Sequence, residues 1–416
     1  MEVLYERCCG LDVHKKSVVA CLLTPGVAGV AQQEVRSFGT MTSELLALVD
    51  WLVAADCPAV AMESTGSFWK PVYNLLEGVV PTVLVVNATH IKQVPGRKTD
   101  VRDAAWIADL LRHGLLRASF IPDRPQRELR ELTRYRTSLV RERADEVNRV
   151  QKVLEGGNIK LSSVATDLMG VSGRDMLAAL IEGTVDPATM AQFARGRMRE
   201  KIPQLEQALS GTVGPHQRFL LAEQLAHIDY LDAAIQRVSA EIATRVAACA
   251  DDVERLDTIT GVGPVTAQAI IAEVGTDMGR FPSANHLTAW AGLAPGNNIS
   301  AGKRKSGRTR KGSPWLRSLL IEASQAAGHS KNTYLGALYH RLLARRGKKR
   351  AAVAVARSIL VVVYHLLRDQ EPYHELGVTY LDQRDKHAVQ RRLVRRLESL
   401  GFAVSLQPKE PLEVAV

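Results

Sequence analysis

Short apolar runs alternate with amphipathic segments through residues 1–115, and few folds accommodate that order. Runs rich in Val, Leu, Ile and Cys between turn residues are typical of strands, and they predict strands at 8–13, 17–23, 33–38, 58–62 and 81–86. The remaining segments predict helices at 42–55, 68–76 and 100–111. Three strands followed by helix, strand, helix, strand and helix suit a mixed sheet with helices on its faces. We therefore predict an α/β fold for residues 1–120.

The remainder of the chain predicts mainly helices. A long charged helix is expected over residues 126–155, and a near-heptad apolar stripe runs from Leu225 to Ile242. That stripe indicates either a coiled coil or an ordinary amphipathic helix that packs within its own domain. We predict four parts: an α/β domain at 1–120, a long helical, coiled-coil region at 121–250, a mainly α-helical domain at 251–371 and a basic tail at 372–416.

The charge of the chain predicts a polyanionic partner. The formal net charge is +10 and the pI is near 9.4. Between Met278 and Ile321 there are eight Lys or Arg residues and no Asp or Glu. Nucleic acid is the common partner of such a chain. The alternative is a generally basic protein without such a partner.

Cysteine usage and hydropathy narrow the cellular setting. The five cysteines form no zinc-binding spacing, and the adjacent Cys8 and Cys9 do not suit a disulfide framework. The sequence shows no N-terminal signal segment, and no uncharged run approaches the roughly 20 residues that a membrane span needs. We therefore expect a reduced, cytoplasmic protein that does not enter a membrane.

Two carboxylates lie in apolar strands, where an unpaired charge is costly. Asp12 stands within the run 8–13, and Glu63 ends the run 58–62 just before a turn. Burial of an unpaired carboxylate costs several kcal/mol, so a basic side chain, a set of hydrogen-bond donors or a metal must compensate each one. Sites in open sheets of this kind form beyond the ends of strands. Both residues are therefore candidates for a functional site.

A second acidic pair begins the last predicted helix of this domain. Asp100 and Asp103 are three residues apart, so on a helix they share a face with about 5–6 Å between Cβ atoms. Mg²⁺ prefers oxygen ligands, and four carboxylates could hold two such ions about 3.5–4 Å apart, as in phosphodiester chemistry. The alternative is structural, with Asp100 as an N-cap and Asp103 facing the helix dipole. The order of the four residues favours a metal site, and we name them the carboxylate set: Asp12, Glu63, Asp100 and Asp103.

Two features of the 251–371 region are typical of phosphate binding. Residues 258–264 resemble a helix-hairpin-helix turn, in which Gly261 and Gly263 would let the backbone approach a phosphate. The alternative for this segment is a plain packing turn between helices. A dense basic run follows and predicts salt-dependent binding to a nucleic acid backbone. No regular aromatic pattern accompanies it, so base-specific readout is not evident. We name this run the basic loop: Lys303, Arg304, Lys305, Arg308, Arg310 and Lys311.

The motifs that contain the carboxylate set resemble those of the IS110 family of insertion-sequence transposases. The resembling segments are 10–15, 62–66 and 98–104, and the resemblance continues over about 250–370. It implies an RNase H-like, RuvC-like domain whose DEDD residues are the carboxylate set, then a coiled-coil region and a transposase domain. It also implies a serine nucleophile in the transposase domain. Ser300 matches that serine by position, and Ser306 is its nearest rival.

The resemblance implies a function and partners. We expect an enzyme that cleaves and rejoins donor and target DNA, with two Mg²⁺ ions on the carboxylate set and Ser300 as the nucleophile. An element-encoded guide RNA would supply sequence choice by base pairing. A homo-oligomer, dimer or tetramer, would act on DNA in the bacterial cytoplasm and nucleoid. Two alternatives stay open: a RuvC-like nuclease in which water attacks, and a non-catalytic DNA-binding protein.

Overall fold

In this computed structural model the chain divides into two units, Met1–Asp123 and Arg124–Val416. The structure describes residues 2–26, 30–64, 66–87, 100–296, 298–300 and 303–407. Within these ranges, only the backbone is described for residues 100–102, 298–300 and 303–305. Each unit contains hydrophobic cores of its own.

The first unit is built on a five-stranded sheet. Its strands are β1 (Cys8–Val13), β2 (Ser17–Thr24), β3 (Gln32–Gly39), β4 (Ala59–Glu63) and β5 (Thr82–Val86), in the order β3-β2-β1-β4-β5. Its helices are α1 (Thr42–Ala54), α2 (Trp69–Leu76) and α3 (Asp100–Arg112). β1 pairs antiparallel with β2 and parallel with β4. The predicted mixed sheet and the predicted order of its elements are confirmed.

Residue alternation along β1 assigns the helices to opposite faces of the sheet. Cys9, Leu11 and Val13 pack with buried residues of α1 and α2, whereas Cys8 packs with buried residues of α3. Successive side chains of a strand point to opposite faces, so the even-numbered residues of β1 face α3. Because both faces are covered, β1 is buried along its whole length and is apolar at nearly every position.

Two long helices form an antiparallel hairpin in the second unit. They are α4 (Arg124–Gly156) and α9 (Pro215–Val246). Leu129 near the start of α4 shares a core with Ile242 near the end of α9. Val150, near the end of α4, shares a core with Leu225 in the first half of α9. The near-heptad stripe on α9 therefore packs against a helix of the same chain.

Short helices close the tip of this hairpin. They are α5 (Leu161–Val164), α6 (Val171–Glu182), α7 (Pro187–Ala191) and α8 (Ile202–Leu209), with a 3₁₀ helix at Gly196–Lys201. Buried residues of these helices, such as Met176 and Leu205, form one core with Val150 and Leu225 of the hairpin. Residues 157–214 are therefore a small helical subdomain.

The open end of the hairpin joins a larger helical core. Its helices are α10 (Ala250–Asp257), α11 (Pro264–Val274), α12 (Ala284–Trp290), α13 (Pro314–His329), α14 (Tyr334–Arg346) and α15 (Lys348–Asp369), with 3₁₀ turns at Ala247–Cys249 and Met278–Arg280. By length and composition α15 could cross a membrane, alone among the helices in the described part of the chain. Val355, Ile359 and Val363 of α15 are buried in this core. The apolar character of α15 is thus that of a core helix.

A small hairpin and a basic helix complete the second unit. The hairpin strands β6 (Asn298–Ser300) and β7 (Lys303–Ser306) pair antiparallel. These strands were not predicted, because they are short and polar and carry no apolar alternation. The helices of the tail are α16 (Tyr380–Arg384) and α17 (Lys386–Glu398). α17 carries the arginines of the basic tail, and its Leu393 and Leu397 are exposed.

Candidate active site

Asp12 and Glu63 lie beside each other at the ends of two parallel strands. Leu11 of β1 pairs with Met62 of β4, so the next residue along each strand brings Asp12 next to Glu63. Ala61 belongs to the core beneath α3. Because side chains two residues apart share a face, Glu63 points to that same side, as Asp12 does. At one end of the sheet, β1 and β4 therefore present two carboxylates on the face that α3 covers.

Gly10 lets α3 lie directly on the sheet. A Cβ at Gly10 would lie 2.2 Å from the carbonyl oxygen of Ala104 and 2.4 Å from the backbone nitrogen of Ala108. No side chain fits in that space, so the helix backbone is in contact with the strand backbone. Asp103 precedes Ala104 and is therefore held close to the end of β1 that carries Asp12.

The carboxyl group of Asp12 lies in surroundings that disfavour its charge. Asp12 is only 8% exposed. Burial raises the pKa of Asp12, the negative charges of Asp103 and Glu63 raise it further, and His14 lowers it. The Nε2 atom of His14 lies 3.0 Å from Oδ2 of Asp12. Three members of the carboxylate set therefore interact at one end of the sheet.

Asp100, the fourth member, is the first residue of α3. It lies one helical turn before Asp103, and its side chain is outside the described residues. Among the described side chains, no three His, Cys, Asp or Glu residues are arranged to hold a metal ion. The fit to Mg²⁺ rests on donor chemistry: the set offers oxygen ligands, and a cation would offset the burial and the charge repulsion that raise the pKa of Asp12. The metal site stays a prediction.

The two glycines predicted to approach a phosphate lie in different surroundings. Gly261 has a φ of +87°, and a Cβ there would lie 2.4 Å from the carbonyl oxygen of Ala323 in α13. A glycine is therefore required at position 261 by the positive φ of the turn and by the close packing of α13. A Cβ at Gly263 would meet no described atom within 4 Å, and Gly263 is the N-cap of α11. Of the two, Gly263 is the one with open space beside it.

Ser300 lies on the small hairpin of the second unit. It ends β6 and pairs with Lys303 of β7. The side chains from 298 to 305, including those of Arg304 and Lys305, lie outside the described residues. The backbone thus places Ser300 directly opposite the beginning of the basic loop.

The rest of the basic loop is described and exposed. Arg308, Arg310 and Lys311 are all exposed. The hydroxyl of Ser306, the rival serine, accepts a hydrogen bond of 3.1 Å from the backbone N–H of Arg308. Ser306 therefore has a structural function in the turn after β7.

Gly10 and His14 were not among the predicted site residues. A glycine inside an apolar strand often marks a close backbone approach, and alternation puts Gly10 on the same face as Asp12. That signal was available from the sequence. His14 follows β1, and its contact with Asp12 depends on the turn between β1 and β2, where the backbone N–H of His14 donates to the carbonyl of Ser17.

Two family models match the chain. One, described as a transposase of the IS110 DEDD type, matches residues 9–159. The other, described as a transposase of the IS116/IS110/IS902 family, matches residues 253–340. The first match contains the carboxylate set, and the second contains Ser300 and the basic loop.

Three curated relatives match over most of their length. A probable family 20 transposase of Pseudomonas aeruginosa is 27% identical over 321 residues, covering 76% of this chain and 85% of that protein. The transposase for insertion sequence element IS1111A of Coxiella burnetii is 28% identical over 322 residues, covering 76% of this chain and 79% of that protein. An uncharacterized 42 kDa protein of insertion element IS900 from Mycobacterium paratuberculosis is 26% identical over 403 residues, covering 89% of this chain and 98% of that protein.

Proposed function

Because this chain is a DNA transposase of the IS110 family, we propose that it cleaves and rejoins DNA through the carboxylate set and Ser300. The observation that carries this proposal is the meeting of Asp12, Glu63 and Asp103 at one end of the sheet. Clustered carboxylates repel a phosphate unless a cation lies between them. An enzyme that acts on DNA has a use for such a cluster only with bound metal.

The carboxylate set is proposed to hold two Mg²⁺ ions. When bound, these ions supply positive charge that stabilises the charge developing on the scissile phosphate. Glu63 from β4 and Asp103 from α3 offer further oxygen ligands near Asp12. The hydrogen bond from His14 to Asp12 orients the Asp12 carboxylate. We also propose that the first unit has an RNase H-like fold.

Ser300 is proposed to be the nucleophile. Its Oγ would attack the scissile phosphorus, forming a serine–DNA phosphodiester while the bond to the leaving sugar oxygen breaks and that oxygen takes a proton. Attack by a DNA hydroxyl on the same phosphorus reverses the step and rejoins the strand. Lys303, Arg304 and Lys305 of the basic loop belong to the strand that pairs with β6, and their cations would hold the phosphate in line.

The partners follow from this chemistry and from the family resemblance. Donor and target DNA are the proposed substrates, and an element-encoded guide RNA is the proposed source of sequence choice. Exchange of two duplexes needs several active sites, so a homo-oligomer, dimer or tetramer, is proposed. The site of action would be the bacterial nucleoid in the cytoplasm.

A covalent adduct assay tests this function. The protein with its co-purifying RNA is incubated with DNA and Mg²⁺, and a protease-sensitive DNA adduct is sought after denaturation. Ser300→Ala should fold and bind nucleic acid normally but form neither adduct nor recombinant product. Asp103→Asn should also lose strand cleavage while nucleic acid binding persists. Ser306→Ala is the matched control and should remain active, because Ser300 is the proposed nucleophile and the Ser306 hydroxyl forms one hydrogen bond, within its own turn.

The alternatives are separate outcomes of that assay. Cleavage without any adduct would favour a metal-dependent nuclease in which water attacks. Binding without cleavage by the native protein would favour a non-catalytic DNA-binding protein. An inactive Ser306→Ala together with a fully active Ser300→Ala would show that Ser306, not Ser300, is the nucleophile.

A further inference from the structure

A cavity of about 330 Å³ lies between helices α4, α9, α11 and α13 of the second unit. Its volume falls at the lower end of the range for sites that bind small molecules. Its walls combine apolar side chains, among them Val140, Ile235 and Leu319, with the ring of Trp315. Neither the carboxylate set nor the basic loop lines it, so its chemistry requires its own explanation.

The ring of Trp315 lines the cavity, and two guanidinium groups lie over it. The guanidinium carbon of Arg141 lies 5.3 Å from the ring centre, and that of Arg134 lies 5.8 Å from it. Arg134 donates to both carboxylate oxygens of the buried Glu273, at 2.7 and 3.0 Å, so its charge is balanced. Arg141 and Glu322 are the exposed charged residues of the lining.

Arg136 places a buried positive charge in the wall of the cavity. It is 5% exposed and donates to the Gln268 side-chain oxygen at 3.0 Å and to the Val265 carbonyl at 3.2 Å. Both acceptors are neutral, and within the described part of the chain no acidic side chain forms an ion pair with Arg136. A buried guanidinium without a counter-charge is costly, and burial lowers its pKa. An anionic ligand in the cavity would supply the missing charge.

The residues of the basic loop and the start of α13, which lines the cavity, are close together in the sequence. Lys311 ends the basic loop, Ser313 caps α13 by accepting from the backbone N–H of Leu316, and Trp315 lies in the first turn of α13. Trp315 follows Lys311 by four positions, so a nucleic acid strand held by the basic loop would pass near Trp315. This position argues for a ligand that belongs to that strand.

We propose that this cavity receives one unpaired nucleotide of a nucleic acid strand, its base against Trp315 and its phosphate at Arg136 and Arg141. The proposal rests on the nucleic acid function proposed above. Every base has a π face, so stacking on an aromatic ring tolerates any sequence. Guanidinium groups match the geometry of phosphate oxygens. A nucleotide inside a duplex cannot enter, because its base is already stacked and paired.

Equilibrium binding of single strands tests the proposal without requiring cleavage. The probes are mixed-sequence strands of about 12 nucleotides, as DNA and as RNA, with the full-length protein in EDTA. Trp315→Leu should weaken binding about 10-fold, and Trp315→Phe should restore most of it. Arg141→Gln should lower the salt dependence by about one charge. Tyr230→Leu and Arg237→Gln, exposed on α9 away from the cavity lining, are matched controls and should bind normally.

Photo-crosslinking locates the bound base. A 5-iodouracil strand should crosslink to the peptide that contains Trp315, and a blunt duplex of the same sequence should not. A Trp315 effect confined to DNA or to RNA would support the proposal and identify the strand. Unchanged binding by Trp315→Leu, with crosslinks elsewhere, would overturn it while DNA cleavage by the native protein persisted. Failure of the proposed function would instead appear as absence of cleavage with the Trp315 effect intact.

Discussion

At Asp12, the charge that a metal site needs reduces the stability of the metal-free fold. Burial and the neighbouring carboxylates of Asp103 and Glu63 raise the pKa of Asp12. An acid whose pKa rises on folding binds its proton more tightly in the folded state. Its contribution to stability is fully present below the pKa of the unfolded chain and is lost as the pH rises through the folded-state pKa. At neutral pH the ionised Asp12 therefore destabilises the protein unless a cation is bound.

Asp12→Asn should raise the Tm of the metal-free protein at pH 7 by about 2–8 °C, because it removes a buried and repelled charge. Thermal unfolding in EDTA measures this change. Added Mg²⁺ should raise the Tm of the native protein and have little effect on the variant, which should also fail to cleave DNA. Asp56→Asn is the control, since the Asp56 side chain is 91% exposed. A lower Tm for Asp12→Asn in EDTA would contradict the repulsion argument.

At the scale of elements, the packing of α3 on β1 decides whether the carboxylates meet. The contact depends on Gly10, where the helix backbone occupies the space of a side chain. Small residues at Ala104 and Ala108 on the facing side of α3 complete it. The spacing Gly10 to Asp12 thus combines a close approach with a carboxylate on the same face of one strand.

Gly10→Ala should force α3 away from the sheet, because its Cβ would lie 2.2 Å from a backbone oxygen. We expect a loss of about 1–3 kcal/mol in the free energy of unfolding and a loss of DNA cleavage, with nucleic acid binding by the basic loop retained. Urea unfolding and a cleavage assay measure the two effects. Gly39→Ala is the control at a strand end, because the nearest atom to its Cβ would be Cγ of the Glu44 side chain at 3.2 Å. Full activity of Gly10→Ala would show that the helix position is not critical.

The basic loop is predicted to act through its charge. Replacing Lys303, Arg304 and Lys305 together by Gln should weaken binding at every DNA sequence and reduce the salt dependence by up to about three charges. The slope of log affinity against log salt concentration measures this change. Replacing three exposed cations of the small helical subdomain at residues 157–214, Arg197, Arg199 and Lys201, is the matched control. An unchanged slope in the first variant would identify the loop as ordinary solvated surface.

At the scale of the whole molecule, a buried ion-pair network in the second unit joins the hairpin of α4 and α9 to the larger helical core. Glu273 of α11 is 3% exposed. It accepts hydrogen bonds from Arg134 of α4 at 2.7 Å and from the hydroxyl of Ser313, which caps α13, at 3.1 Å. Arg130 of α4 lies 3.8 Å from the same carboxylate. The carboxylate of Glu273 thus connects α4, α11 and α13, and Glu273 also lines the cavity beside Trp315.

Glu273→Gln should destabilise the second unit by about 3 kcal/mol, because removing one partner of a buried pair leaves guanidinium charge uncompensated. Urea unfolding followed by circular dichroism measures the effect. Glu128→Gln is the control, since Glu128 and its partners Arg124 and Arg245 are exposed and surface pairs contribute little. Equal stability of the two variants would show that Glu273 is not a structural centre.

The order of strands and helices in the first unit could be predicted from the sequence. β1 is covered on both faces, so burial alone dictates its apolar run, and Asp12 stands out against it. The members of the carboxylate set could be selected for the same reason, because a charge in an apolar segment is costly wherever it packs. The long helices could be predicted from periodicity, which is also a local property.

Only the tertiary structure decided which of these segments meet. Asp12 and Asp103 are about ninety positions apart, and their proximity depends on which face of the sheet α3 covers and on the space at Gly10. The apolar stripe of α9 likewise packs against α4, which is distant along the chain. The cavity lined by Trp315 also forms between helices that are far apart in sequence. Periodicity records which side of an element is buried, whereas the identity of the covering surface is set by the packing of the whole unit.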